Sequence, residues 1–188
     1  MKRSNLLKQL VLATAVFVAG TSLLIGCKTQ SAHPDDKSAV TNTLRSNNLS
    51  DVAVSQDQDK GVITLTGNVD SQDQKSQAES LAKGAAPTYT IANEIGVRPP
   101  GADNAGKVAS SLDNGIEDNF KAALKAHKNL DDQSIDYSAK NGTLVLKGSV
   151  KTAAQKKEAG ELAKHIPNVE QVVNEIEIKA DKHSTTSS

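Results

Sequence analysis

The 188-residue chain carries 22 Lys and Arg against 22 Asp and Glu, so its formal net charge is zero, and it has one Cys, no Trp, two Phe and two Tyr. Neutrality excludes a long-range basic field for nucleic acid, and so few aromatic rings exclude a base-stacking platform. A lone cysteine excludes an intrachain disulfide, so each domain must stand on its own core.

In chain order, Lys2, Arg3 and Lys8 precede an apolar run from Leu10 to Ile25 that closes on Leu24-Ile25-Gly26-Cys27. A basic segment, a short apolar run and a small residue before a cut site make an export signal. An uncleaved membrane helix is the alternative, because the run approaches the lower limit of about 17 residues for a span. Leu24 to Cys27 resembles the lipobox of bacterial lipoproteins. That resemblance implies a signal over 1–26, acylation of Cys27 and attachment to a membrane through its lipid, which two or three acyl chains make effectively permanent. Lys28, where inner-membrane retention is associated with aspartate, implies the periplasmic face of the outer membrane.

Residues 27–35 read as a polar tether. The first domain spans 36–97. Asp36 to Arg45 is its first helix, with Ala39, Val40, Thr43 and Leu44 on one face. Asp51 to Val54 begins a strand, Asp59-Lys60-Gly61 turns the chain, and Ile63, Leu65 and Val69 share a face of the next strand. Ser71 sits at an N-cap position before a helix with the stripe Ala78, Leu81, Ala82 and Ala85. A last strand runs from Thr88 to Val97.

After a linker over 98–111, marked by Pro99, Pro100 and Gly101, the same order recurs in a second domain over 112–180. From Asn48 the match is gapless when 81 is added to each residue number, as with Gly61, Gly67 and Asn93 on Gly142, Gly148 and Asn174. Leu112, Ile116, Phe120, Ala123, Leu124 and His127 form the helical stripe. Strands flank the Asn141-Gly142 turn, a strong hairpin signal because both residues tolerate positive φ. Thr152 is the cap of the next helix, Ala159, Leu162, Ala163 and Ile166 are its stripe, and Val169 to Ile178 is the last strand. Gly67 and Gly148 read as positions over which a helix passes closely, with a bulge as the alternative. The tail over 181–188 is Ser/Thr-rich and reads as disordered. The expected class is α+β: two tandem small domains, each α-β-β-α-β with a three-stranded mixed sheet packed on two helices.

The pattern of Gly142, Leu144, Leu146, Gly148, Val150, Ala159, Leu162, Ala163, Val169, Val172, Asn174 and Ile176 resembles the BON domain. The resemblance implies binding to phospholipid membranes or hydrophobic ligands and a part in envelope integrity under osmotic stress, with no catalytic residues. One departure stands out. Where that family has Gly-Val before its last strand, the second copy has Asn168-Val169 and the first has Pro87-Thr88.

The repeated positions are apolar residues, turn glycines and one Asn-Glu pair, so neither an enzyme nor a cofactor is expected. Lys151, Lys156, Lys157 and Lys164, on or beside the second copy's later helix, are the candidates for anionic phospholipid, each worth about 1 kcal/mol at such a surface. A solvated face with Lys157 paired to Glu161 is the alternative. Asn93-Glu94 and Asn174-Glu175 read as Asn bonding backbone at the sheet edge and Glu facing water. His33, His127, His165 and His183 lack ligand spacing, so no metal is expected. A competing role is an adaptor for envelope proteins, with membrane contact supplied only by the lipid on Cys27. A carrier of small hydrophobic ligands would need a cavity between sheet and helices, for which such short domains leave little room.

Overall fold

The computed structural model describes residues 33–179. The expected export signal over 1–26, the expected lipidation position Cys27, most of the expected tether and the tail over 181–188 lie outside the described residues. All the described residues belong to one compact unit.

The first copy comprises α1 (Lys37–Ser46), β1 (Val52–Asp57), β2 (Val62–Val69), α2 (Gln72–Ala85), β3 (Thr90–Asn93) and β4 (Gly96–Val97). The second comprises α3 (Ala105–Ala126), the single turn α4 (Lys128–Asp131), β5 (Ser134–Lys140), β6 (Thr143–Val150), α5 (Ala153–Lys164), β7 (Gln171–Asn174) and β8 (Glu177–Ile178). The class is α+β with two tandem domains, each a mixed sheet and helices. β1 and β2 pair antiparallel, and β3 and then β4 pair parallel to β2, which places the β2 strand in the middle. β5, β6, β7 and β8 repeat the arrangement. The single last strand expected of each copy is therefore two short pieces, broken at Asn93-Glu94-Ile95 and Asn174-Glu175-Ile176.

Local chemistry accounts for the elements. Ser71 Oγ accepts from the Gln74 amide at 3.3 Å. Thr152 and Gln155 form a reciprocal capping box, which satisfies amides that the first helical turn leaves unpaired. Lys140 pairs with Thr143 across a two-residue loop, whose Asn141 (φ 48) and Gly142 (φ 81) adopt the left-handed conformation that such a turn requires. Val40, Leu44, Ile63, Leu65, Ala78, Ala82 and Ile95 build the first core, and Ile116, Phe120, Leu144, Leu146, Ala159, Ala163 and Ile176 the second. Alanines on α2 and α5 let the helices lie close to the sheets.

Three expectations change. Gly67 (φ 116) and Gly148 (φ 95) are not passed over by a helix. A Cβ there would meet the carbonyl oxygens of Asp51 and Ser134, on the neighbouring strand's side, at 2.2 and 2.1 Å. The interval 98–111, read as linker, carries the first turns of α3, which starts at Ala105. The end of the tether is held: His33 packs on Tyr89 with ring centroids 5.1 Å apart, and the Pro34 carbonyl accepts from Gln56 Nε2 and the Tyr89 hydroxyl.

Replacing Gly148 with Ala forces both a strained φ and a clash with backbone, so it should cost more than about 1 kcal/mol. Gly84 lies in α2 with nothing within 4 Å of a Cβ, and Gly84→Ala should stabilise by about 0.5–1 kcal/mol. Urea unfolding of the two variants checks both signs.

Candidate functional site

The helical period divides the four candidate lysines. Lys157 and Lys164 are exposed and share the outer face of α5 with Glu161, because residues at i, i+4 and i+7 lie one above another. Glu161 pairs with Lys164 at 3.0 Å rather than with Lys157, and that hydrogen bond holds its carboxyl below the usual range. Lys151 is exposed just ahead of the cap. Lys156, one residue and about 100° round the helix from Lys157, is half-buried and lines a groove between the copies. The structure thus brings three of the four to an outer surface and sends the fourth inward.

In the Asn-Glu pairs each Asn bonds backbone as expected, and only the glutamates differ from the expectation. Asn93 is buried and its Nδ2 donates to the Lys75 carbonyl at 3.0 Å. Asn174 Nδ2 donates likewise to the Lys156 carbonyl at 2.8 Å, and its Oδ1 accepts from the Ile176 amide at 3.2 Å. Each Asn therefore ties the break in its last strand to the helix beneath it. The glutamates do not simply face water. Glu175 pairs with Lys60 at 3.1 Å and its side chain is 8% exposed, and Glu94 pairs with Lys140 at 3.4 Å. Each copy's hairpin turn reaches the other copy's glutamate, so the contacts approximate a two-fold relation.

Between the copies, Val62 and Ala92 pack with Val145 and Val173 in a small apolar cluster. These residues lie on the sheet faces turned away from the helices. Polar side chains of the second copy close the open edge of β3. Gln171 donates from Nε2 to the Ile91 carbonyl at 2.7 Å and accepts at Oε1 from the Asn93 amide at 2.8 Å. Thr143 Oγ1 donates to the Asn93 carbonyl at 2.6 Å, and Asn141 Nδ2 to the Glu94 carbonyl at 2.8 Å. Lys75 is buried with its ammonium on the Asn141 carbonyl at 2.7 Å and the Glu170 carboxylate at 2.9 Å. This interface was missed in the sequence. The signal was available in Leu144-Val145-Leu146 and Val172-Val173, where no polar residue alternates and both sheet faces must therefore be covered.

Three clefts open along the interface. One, of about 300 Å³, has Ile95, Leu112, Ile116 and Val169 in its walls, with Arg98 beside it. Leu112 and Val108, 46% and 56% exposed, leave an apolar stretch on the first turns of α3. At this first cleft Asp113 accepts from the amides of Asn141 and Gly142 at 2.9 and 3.1 Å, so its carboxylate holds the hairpin turn. A second cleft, of about 260 Å³, lies beside β3 with Lys75, Glu79, Thr143 and Gln171 in its walls, and the third holds Lys156. The described residues contain no group of His, Cys, Asp and Glu placed to hold a metal ion, and no helix long and apolar enough to cross a membrane.

Comparison with known proteins agrees with this architecture. The BON domain pattern matches residues 35–99 and again 112–180, and the chain belongs to the BON domain family. It is similar to osmotically-inducible protein Y of Escherichia coli (strain K12), 27% identical over 149 residues that cover 77% of this chain and 73% of that protein. It is also similar to an uncharacterized protein in the gshII 5' region of Anaplasma centrale, 27% identical over 65% of this chain and 80% of that one. A solved chain from structural studies of CdsD, a structural protein of the type III secretion system of Chlamydia trachomatis, matches with a TM-score of 0.30 at 13% identity. The match covers 79% of this chain and 66% of that one, and at that score it carries no argument.

Gln171→Ala leaves the Ile91 carbonyl and the Asn93 amide without partners, and should lower the unfolding free energy by about 1–3 kcal/mol in denaturant titration. Two ion pairs contribute to the pH dependence of stability. The hydrogen bond to Glu175 raises Lys60 above the ordinary lysine value, against slight desolvation. Its contribution is present below the unfolded value of about 10.4 and is lost as pH rises through the folded one. Burial alone would raise Glu79, but hydrogen bonds from Lys83 and Asn93 outweigh it and lower the carboxyl. Its contribution, present above about 4.3, is lost as pH falls through the folded value. Thermal unfolding across pH should show both limbs, with Lys60→Met flattening the alkaline one and Glu79→Gln the acid one.

Proposed function

We propose that this chain is an osmotic-stress protein of the periplasm, held at the outer membrane by lipid on Cys27, whose second copy contacts anionic phospholipid. Its membership of the BON domain family and its similarity to an osmotically-inducible protein support the stress role. The observation that carries the membrane contact is the outer face of α5, where Lys157 and Lys164 are exposed with Lys151 beside them. Three lysines at about 1 kcal/mol each make a meaningful attraction to an anionic surface, reduced by Glu161 on the same face. The contact is electrostatic, because α5 exposes no large apolar side chain. Neither a nucleophile nor a metal enters this reading.

The adaptor reading has one observation of its own in its favour. Gln171 bonds the outer edge of β3, whereas no described residue bonds the corresponding edge of β7, and open strand edges are where extended partner chains add.

Co-sedimentation of residues 28–188 with liposomes of rising anionic content tests the membrane contact. Binding should rise with anionic lipid and weaken by about a hundredfold in a Lys151→Glu, Lys157→Glu, Lys164→Glu variant. Failure of the unmodified fragment to sediment with any of the liposomes would leave the adaptor reading in possession.

A further inference from the structure

Gln56, Gly61 and Tyr89 form a notch on the first copy, and the segment ahead of α1 lies in it. Tyr89 is buried, and its ring meets that of His33 at the tilted approach already described. The Tyr89 hydroxyl and Gln56 Nε2 both donate to the Pro34 carbonyl, the second at 2.9 Å, and Gln56 Nε2 also donates to the Tyr89 hydroxyl at 2.6 Å. A Cβ on Gly61 would run into the His33 ring, so a larger residue there would displace it. Gln56 Oε1 is buried without a partner among the described residues. That cost is set against the bonds the notch makes, so losing a single partner is enough to release the segment.

The second copy has no such notch. Under the 81-residue offset the counterparts of Gln56, Gly61 and Tyr89 are Tyr137, Gly142 and Glu170. Tyr137 packs edge-on against Phe120 with ring centroids 5.2 Å apart, the Gly142 amide donates to Asp113, and the Glu170 carboxylate pairs with Lys75. None of the three hydrogen-bonds residues 98–104, the segment that leads into α3. The aromatic ring and the amide that hold Pro34 belong to the copy that follows the tether.

The geometry points to a docking site for the chain's own tether, one that fixes how the molecule hangs from its anchor. An extended chain spans at most about 3.3–3.6 Å per residue. With lipid on Cys27, the reading on which this inference rests, a tether docked at His33 lets the first copy stand about 20 Å from the anchor at most. A tether free as far as Lys37, where α1 begins, would let it stand about 35 Å away. Docking also chooses the side that faces the anchor, because the tether then leaves beside β1 and the Asp59-Lys60-Gly61 turn. The outer face of α5 takes no part in this contact.

Nitrogen-15 relaxation of residues 28–188 tests the docking without any lipid. The His33 and Asp35 amides should show order parameters near the rigid-backbone value of about 0.85. In Tyr89→Phe both should fall below about 0.6, and in His33→Ala the Asp35 amide should do the same. The melting temperature of His33→Ala should not change, because that ring lies outside both cores. Low order in the unmodified fragment, or order that both substitutions leave intact, would overturn the docking. The standoff is read in the acylated full chain on neutral liposomes, which offer the α5 lysines no anionic partner. Energy transfer from a dye on Ser55→Cys to head-group acceptors should fall when His33→Ala and Tyr89→Phe are added, and equal transfer would overturn the fixed standoff. A mature chain whose Cys27 carries no acyl mass would overturn the anchoring reading instead, with the relaxation data still deciding the docking.

Discussion

Val62, Ala92, Val145 and Val173 are buried only because the two sheets meet on the faces opposite their helices. Each copy alone would present this apolar patch to water, and burying a valine side chain is worth about 1.5 kcal/mol or more. That contact sets the position of everything else between the copies. With the sheets face to face, each hairpin turn falls beside the other copy's Asn-Glu break, and Lys60 and Lys140 find Glu175 and Glu94. The grooves on either side of the contact are consequences of the same docking. Their walls come from both copies, so neither exists in an isolated domain.

The docking is nearly two-fold, but the chemistry at equivalent positions is not. The second copy gives the first an amide, a hydroxyl and a carboxylate, through Gln171, Thr143 and Glu170. The first returns Thr90, Val62 and Tyr89, which bond nothing on β7. A tandem repeat allows this, because each half can change without altering its counterpart, whereas a symmetric dimer of one chain must satisfy or expose both edges alike. Stability is therefore concentrated on the β3 side. Lys75 and Asn93 are buried there with partners from both copies, and removing one partner strands another. On the β7 side no described residue of the first copy makes the corresponding bonds, so the second copy's last strand gains no such support.

Much of the fold was legible because local rules sufficed. Asn141-Gly142, the caps Ser71 and Thr152, and the stripes through Ala78 and Ala159 each specify one element without help from distant residues. The resemblance carried by the repeated glycines and apolar positions supplied the family. Three features depended on tertiary partners and were read otherwise. Gly67 and Gly148 answer to a carbonyl oxygen on the next strand, and sequence alone does not show which backbone atom lies opposite. The first turn of α3, Ala105 to Val108, falls in the interval that Pro99, Pro100 and Gly101 just upstream made look like pure linker. Glu94 and Glu175 look like surface residues until their partners, 46 and 115 positions away at Lys140 and Lys60, are in place. Of the candidate site, the lysines were visible as a group, while their division between two surfaces was not.

That division bears on which lysines a membrane surface can meet. Lys156 and Lys157 are adjacent in sequence, yet about 100° of helical rotation separates them. Lys157 shares the outer face of α5 with Glu161 and Lys164, whereas Lys156 lies on the flank whose neighbours are the buried Gly160 and Ala163. One helix thus presents cations to two places at once, an open surface and the wall of a groove. A lipid head group at Lys157 and Lys164 has no need of Lys156. The closeness of the four lysines in sequence suggested a single cluster, but the helical period divides them between an open surface and the wall of a groove between the copies.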